Sequence, residues 1–192
     1  MKKIIFSLLF AFPIFLSASQ YIGIHGGPDH GHDTDRSNSG QKMGFAIGGI
    51  YGYDFNNQFR GEVEVSYRQA HKRTVYKDKL IDQLFSRTYE SKHSTAFMVN
   101  ACYDMSQLAM YNLNPFIGGG IGFTNNVTQY KAKYDDHVDS EKRRDSDFAW
   151  QLLAGVSYPI QEGVKANIRY CYHQGQQHTK SHAVTLGLVK AF

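Results

Sequence analysis

Proline is scarce in this sequence, four residues in 192, and cysteine scarcer still, with two. Few prolines leave long stretches without the residue that interrupts strand ladders and helices. Two cysteines exclude a small scaffold stapled by several disulfides. An excess of one charge sign is also missing: 21 Lys and Arg stand against 17 Asp and Glu. That mixed, mildly basic balance gives neither a nucleic-acid footprint nor an acidic disordered tail, so no nucleic-acid partner is expected. Finally, no apolar run reaches the roughly 20 residues that a membrane-spanning helix requires. Any membrane crossing must therefore be made by strands.

The start of the chain is different in kind. Met1-Lys2-Lys3 is positive, Ile4 to Leu16 is almost unbroken apolar sequence, and Ser17-Ala18-Ser19 supplies small residues. This is the pattern of a cleaved export signal, with Pro13 inside a run too short for a permanent anchor. We expect a signal peptide over residues 1–19 and one domain over 20–192, beginning at Gln20. About 170 residues is an ordinary single-domain length.

What is abundant is aromatic and small: 13 Tyr, 13 Phe and 18 Gly. These residues fall into a period of two. Phe148, Trp150, Leu152, Ala154, Val156, Tyr158 and Ile160 alternate with Ala149, Gln151, Leu153, Gly155, Ser157 and Pro159. If about half of residues are apolar, seven successes on one face arise by chance about once in a hundred tries, so the segment is a strand with one greasy face. The pattern returns in Phe45 to Phe55, Phe59 to Tyr67, Phe97 to Tyr103, Ile117 to Phe123, Val164 to Tyr172 and Val184 to Phe192. With a short strand around Tyr21 to His25, the count is eight.

Connections alternate in length. Asn56-Asn57-Gln58 and Gln161-Glu162-Gly163 are tight and Met105 to Asn114 is moderate, whereas His30 to Gln41, Thr74 to His93, Lys131 to Asp147 and Gly175 to Lys180 read as polar loops. Short turns at one rim and long loops at the other are the plan of an outer-membrane barrel, with the long loops outside the cell and both termini periplasmic. A soluble barrel would have the same alternation with its apolar face inside. The membrane reading is favoured by Gly, Ala and Ser crowding the polar face, by aromatics at strand ends, and by the terminal Phe192. The expected fold is an all-β, eight-stranded antiparallel transmembrane β-barrel, a monomer in contact with outer-membrane lipid and lipopolysaccharide.

The segments PFIGGGIGF (Pro115 to Phe123), FAWQLLAGVSY (Phe148 to Tyr158), ANIRYCY (Ala166 to Tyr172) and MVNACYD (Met98 to Asp104) resemble the opacity-type and outer-membrane-protein-A-like surface proteins. The run Val184, Leu186, Leu188, Phe192 is similar to the C-terminal signal read by the barrel-assembly machinery, although Lys190 stands where that family usually carries an aromatic. The resemblance implies a bacterial cell-surface protein with a structural or adhesin-like role, its loops contacting host surface molecules or neighbouring envelope components. An envelope enzyme acting on lipid A, or a narrow gated pore, is the alternative.

Parity directs Asp54, Arg60, Glu62, Glu64, Arg68, Asp104, Lys165 and Arg169 into the lumen. A lumen of eight strands is just wide enough for side chains to fill, so these charges are expected to pair across it. In the first polar segment His30, His32 and Asp33 are metal-ligand types, but their spacing matches no specific motif, and a solvated, pH-responsive loop is the simpler reading. No cofactor is expected. Cys102 and Cys171 fall on the fourth and seventh strands, too far apart for a bond that needs Cα atoms within about 7 Å, and read as buried free thiols. Tyr172-His173-Gln174-Gly175 resembles the lipid A deacylases, which pair a His with a Ser two residues later. Here that position is Gly175 and His173 faces inward, so no enzyme is expected. Loop cations, including Lys72, Arg73, Lys77, Lys79, Arg87 and Lys142-Arg143-Arg144, suit lipopolysaccharide phosphates or host polyanions, or are solvated.

Overall fold

The computed structural model describes residues 19–33, 41–76, 86–134, 137–175 and 179–192; the expected signal peptide, but for Ser19, lies outside them. Eight antiparallel strands close into a barrel in sequence order. They are β1 (Ser19–Asp33), β2 (Gln41–Asp54), β3 (Phe59–Tyr76), β4 (Ser86–Asp104), β5 (Asn114–Tyr134), β6 (His137–Gln161), β7 (Val164–Gly175) and β8 (Thr179–Ala191). Closure comes from β1 pairing with β8, Tyr21 against Ala191 and Ile24 against Leu188. No open edge is left to satisfy, which is what a strand protein needs in lipid. The three shorter connections and both strand termini share one rim.

The alternation settles which face is inside. Along β3, Glu62, Glu64, Ser66 and Arg68 are buried, while Val63 and Val65 between them are exposed. Along β6, Ala149, Gln151 and Leu153 are buried, while Phe148 and Leu152 are exposed. This is an inside-out barrel, with its apolar surface facing outward. The outward run from Phe148 to Ile160, at about 3.3 Å per residue and a tilt of about 40°, rises roughly 30 Å, which fits the ~25 Å apolar band of an outer-membrane barrel.

Aromatic rows bound that band. Near the terminal rim, Phe59 packs on Tyr103 at 5.1 Å and Tyr51 on Tyr53 at 5.4 Å between ring centroids. At the opposite side, Phe97, Phe123 and Phe148 sit in register across β4, β5 and β6. One step further along the same outward face the row is Thr95, Asn125 and Ser146, polar and exposed. The apolar band ends there within a single pleat. Inside, small residues make room: a Cβ on Gly48 would lie 2.5 Å from His25 Nε2 and 3.0 Å from the Val65 carbonyl oxygen.

Strand boundaries differ from the sequence expectation. β1 runs to Asp33 instead of ending near His25, β3 and β4 continue to Tyr76 and back from Ser86, and β5 and β6 continue to Tyr134 and back from His137. Segments expected as loops are thus largely strand. Beyond the lipid both faces of a ladder can be polar, so the period-two signal fades while backbone pairing continues. Residues 34–40, 77–85, 135–136 and 176–178, and Lys77 and Lys79 with them, lie outside the described residues.

Candidate functional site in the barrel lumen

β3 supplies the acids. Its alternation aims Arg60, Glu62, Glu64 and Arg68 inward in succession, and β7, on the opposite wall, aims Arg169 back at them. Arg169, 2% exposed, reaches both carboxylates: Nη2 lies 3.2 Å from Glu62 Oε2 and Nη1 lies 3.5 Å from Glu64 Oε2. Glu62 also accepts from Tyr21 Oη at 2.8 Å and from Arg60 Nη1 at 3.0 Å. Arg60 forms a further ion pair with Asp104, Nε to Oδ2 2.9 Å. Charges removed from water are tolerable only when paired and further hydrogen-bonded, and Arg60, Glu62, Glu64 and Arg169 are both.

Neutral groups complete the layer. Asn100 Nδ2 and Gln151 Nε2 each donate to Glu64 Oε2 at 3.0 Å, and Gln151 Nε2 lies 2.8 Å from Asn100 Oδ1. His25 Nε2 stands 3.6 Å from Glu64 Oε1. Phe116, buried in the lumen, offers its ring to both guanidinium groups, with Arg60 Cζ 5.0 Å and Arg169 Cζ 6.0 Å from the centroid. That cation–π contact adds to the ion pairs. The result is a charged plug tying β1, β3, β4, β5, β6 and β7 together across the lumen.

Five of the eight expected lumen charges therefore meet: Arg60, Glu62, Glu64, Asp104 and Arg169. The other three do something else. Asp54 accepts from the backbone N–H of Asn56 at 2.9 Å, capping the first tight turn. Lys165 is exposed at the terminal rim, lining a mouth cavity of about 240 Å³ with Asp54 and Asp104, and no carboxylate among the described residues forms an ion pair with it. Its expected place in the network is corrected by depth: it is the second residue of β7, where water reaches a long side chain at low cost. Arg68 is buried above the plug, and its Nη2 donates to Cys171 Sγ at 3.6 Å. Its remaining N–H groups, with Ser66 Oγ and His173 Nδ1, have no hydrogen-bond partner in the protein among the described residues, and the same holds in the plug for Arg60 Nε, Arg169 Nε and Asp104 Oδ1, so both layers have room for bridging water.

Tyr21, His25, Phe116, Asn100 and Gln151 were not singled out from sequence as parts of the site. Parity alone puts four of them on the inner face; Phe116 breaks the rule that the inner face is small or polar, and only its company of arginines accounts for it. Cys102 and Cys171 are both buried and free. His30 lies on β1 next to Asp29, and alternation puts these neighbours on opposite faces: Asp29 is buried and His30 is not. Among the described residues no group of three or more His, Cys, Asp or Glu could hold a metal ion; the side chains of His32 and Asp33 lie outside that description. His173 is buried in the lumen, its Nε2 3.2 Å from Thr124 Oγ1.

A closed antiparallel barrel, greasy outside and sealed by charge inside, defines a membrane barrel of the outer-membrane class. The chain belongs to the outer membrane protein beta-barrel domain family, whose model matches residues 9–192. Its fold is similar to that of Neisserial surface protein A, with 16% identity, 90% of this chain and 97% of that chain covered, and a TM-score of 0.59. It is also similar to Ail, the attachment invasion locus protein of Yersinia pestis, solved in complex with the heparin analogue sucrose octasulfate: 15% identity, 91% and 99% covered, TM-score 0.53. At such identities the likeness is one of fold. No curated protein is similar enough in sequence to match.

Proposed function

We propose that this outer-membrane protein acts at the cell surface through the strand extensions at the rim away from its termini, in a structural or adhesin-like role, with its lumen sealed. The carrying observation is length. A membrane strand needs about 9–11 residues, whereas β3, β4, β5 and β6 have 18, 19, 21 and 25. The excess stands beyond the Phe97–Phe123–Phe148 row, where Lys142 and Arg144 are exposed on β6. Such cations suit lipopolysaccharide phosphates or an acidic host surface. Ail, of the same fold, has been solved with a heparin analogue bound, which fits this reading. The extensions face outward from the cell, the termini face the periplasm, and Phe192 is the group offered to the barrel-assembly machinery.

The plug weighs against a resting pore, because Arg169 on β7 reaches across the lumen to two acids on β3. The buried His173, with Gly175 where a deacylase carries its Ser, weighs against an enzyme. Replacing residues 72–90 and 127–144 by tight turns tests the reading. The barrel should stay heat-modifiable and non-conducting in planar bilayers while losing retention on lipopolysaccharide micelles and on heparin. Undiminished retention on both would overturn it, and conductance in the intact protein would restore the pore.

A further inference from the structure

Of the three short connections at the terminal rim, one carries several large apolar side chains. Residues Met105 to Leu113, between β4 and β5, carry no charge at all. The chain leaves β4 through a single 3-10 turn, Ser106–Leu108, and then doubles back in a miniature hairpin, Met110 and Leu113 exchanging backbone hydrogen bonds at 3.2 and 2.9 Å. Its two tip residues, Tyr111 and Asn112, both have left-handed backbones, with φ of 52° and 65°. This is the turn geometry that fits the twist of a hairpin, but it ordinarily selects Asn, Asp or Gly at both places. Asn112 conforms. Tyr111 does not, since a bulky side chain gains nothing from that backbone and is uncommon in it.

The side chains displayed are as unusual as the backbone. Leu108, Met110, Tyr111 and Leu113 are 63%, 66%, 88% and 42% exposed. An apolar cluster of this kind on a surface turn marks a contact that water does not supply. Its position says which contact. Leu113 keeps the outward parity of Ile117 and Ile121, and it shares an outward-facing groove with Val156, Tyr158 and Ile168. The cluster therefore continues the lipid-facing surface past the Phe59–Tyr103 pair, starting from Leu113 at the level of Tyr158, at the depth where one leaflet meets water. Tyrosine, with an apolar ring and a polar tip, is the residue that belongs at this level.

We propose that the β4–β5 turn is an interfacial lipid anchor: a short, uncharged hook that seats Leu108, Met110 and Tyr111 among the headgroups of the leaflet at the terminal rim and fixes the height of the barrel in the bilayer. The occupant is the phospholipid surface, because the patch is continuous with the belt that already contacts lipid. It lacks the charges that a soluble partner would read for orientation. A patch seated in this way should lie about 5–10 Å into the headgroup and acyl boundary.

Tyr111→Trp tests this directly, since the chain contains one other tryptophan, Trp150, on the far side of the band. The substituted protein is refolded into phosphatidylcholine vesicles, with and without lipids brominated at defined depths. The spectrum of the parent protein is subtracted to isolate the new indole. The same protein in the Trp150→Phe background gives the emission without subtraction, and heat-modifiability reports folding in either case. Blue-shifted emission quenched most by the shallowest bromines is the expected result. Emission at the wavelength of water-exposed indole, indifferent to bromine, would overturn the anchor and leave the patch to a periplasmic protein. A triple Leu108→Ser, Met110→Ser, Tyr111→Ser variant gives a second readout: Trp150 should change its bromine-depth profile as the barrel loses its height reference, and an unchanged profile would also count against the proposal.

Discussion

Truncating Arg169 to Ala removes the cation that crosses the lumen from β7 to the two acids on β3. Its guanidinium holds Glu62 at 3.2 Å and Glu64 at 3.5 Å and is itself 2% exposed. Breaking a buried pair by deleting one partner costs about 3–5 kcal/mol, mostly from the charge left behind. The residual partners place this variant near the lower end. Glu62 keeps Tyr21 at 2.8 Å and Arg60 at 3.0 Å. Glu64 keeps Asn100 and Gln151 at 3.0 Å each, with His25 at 3.6 Å. We expect a loss of about 3 kcal/mol, measured by urea titration in detergent with heat-modifiability and Trp150 fluorescence as coincident probes. Arg144→Ala, on the exposed extension, should stay within about 0.5 kcal/mol. The pair Glu64→Gln with Arg169→Met removes both charges at similar volume and should recover much of the loss, because neutral replacement of a buried ion pair is often near neutral. If Arg169→Ala and Arg144→Ala unfolded at the same midpoint, the inward, dry assignment of the network would be refuted.

Two further outcomes follow from the packing. Gly118→Ala would bring a Cβ to 2.7 Å from Cys102 Sγ and 2.8 Å from the Ala101 carbonyl oxygen, whereas on outward Gly49 the nearest atom is the Gly23 carbonyl oxygen at 3.9 Å. The inner substitution should cost about 1–3 kcal/mol in the same titration and the outer one should be nearly neutral; equal effects would mean that the lumen face is not tightly filled. Cys102 and Cys171 should resist maleimide in the folded barrel and both react once it is unfolded, identically with and without reductant. A reductant-dependent difference in gel mobility would reveal a disulfide instead.

Sequence carried the strands where lipid meets the chain and lost them where water does. Phe148 to Ile160 announces itself because one face must be apolar and the other must not. Lys131 to Asp147 announces nothing, since an emergent ladder asks only for backbone pairing, and its sequence reads as loop although β5 and β6 pair through it as far as Tyr134 and His137. Parity likewise found Glu62, Glu64 and Arg169 but could not rank them by depth. Lys165 shares their face yet sits at the mouth, and Asp54 turns to cap its own hairpin. Phe116 is invisible for the opposite reason: an apolar ring on a polar face makes sense only once two arginines are seen against the same ring.

Depth also explains how a barrel this narrow can hold its shape independently of its rim. Ladder hydrogen bonds fix each strand against its neighbours, but a ring of eight such contacts can still flatten without breaking any of them. What resists flattening is a tie between opposite walls, and Arg169 on β7 provides one by holding Glu62 and Glu64 on β3, more than a hundred residues away in sequence. The tie lies within the lipid-spanning section, below the Thr95–Asn125–Ser146 row where the outer face turns polar. Changes above that row therefore share no partners with the plug and should add to its energetics independently. A recognition surface built there can be rewritten in length and charge without loosening the scaffold that presents it. That separation is why we read this protein's function from the extended rim and only its stability from the charged interior.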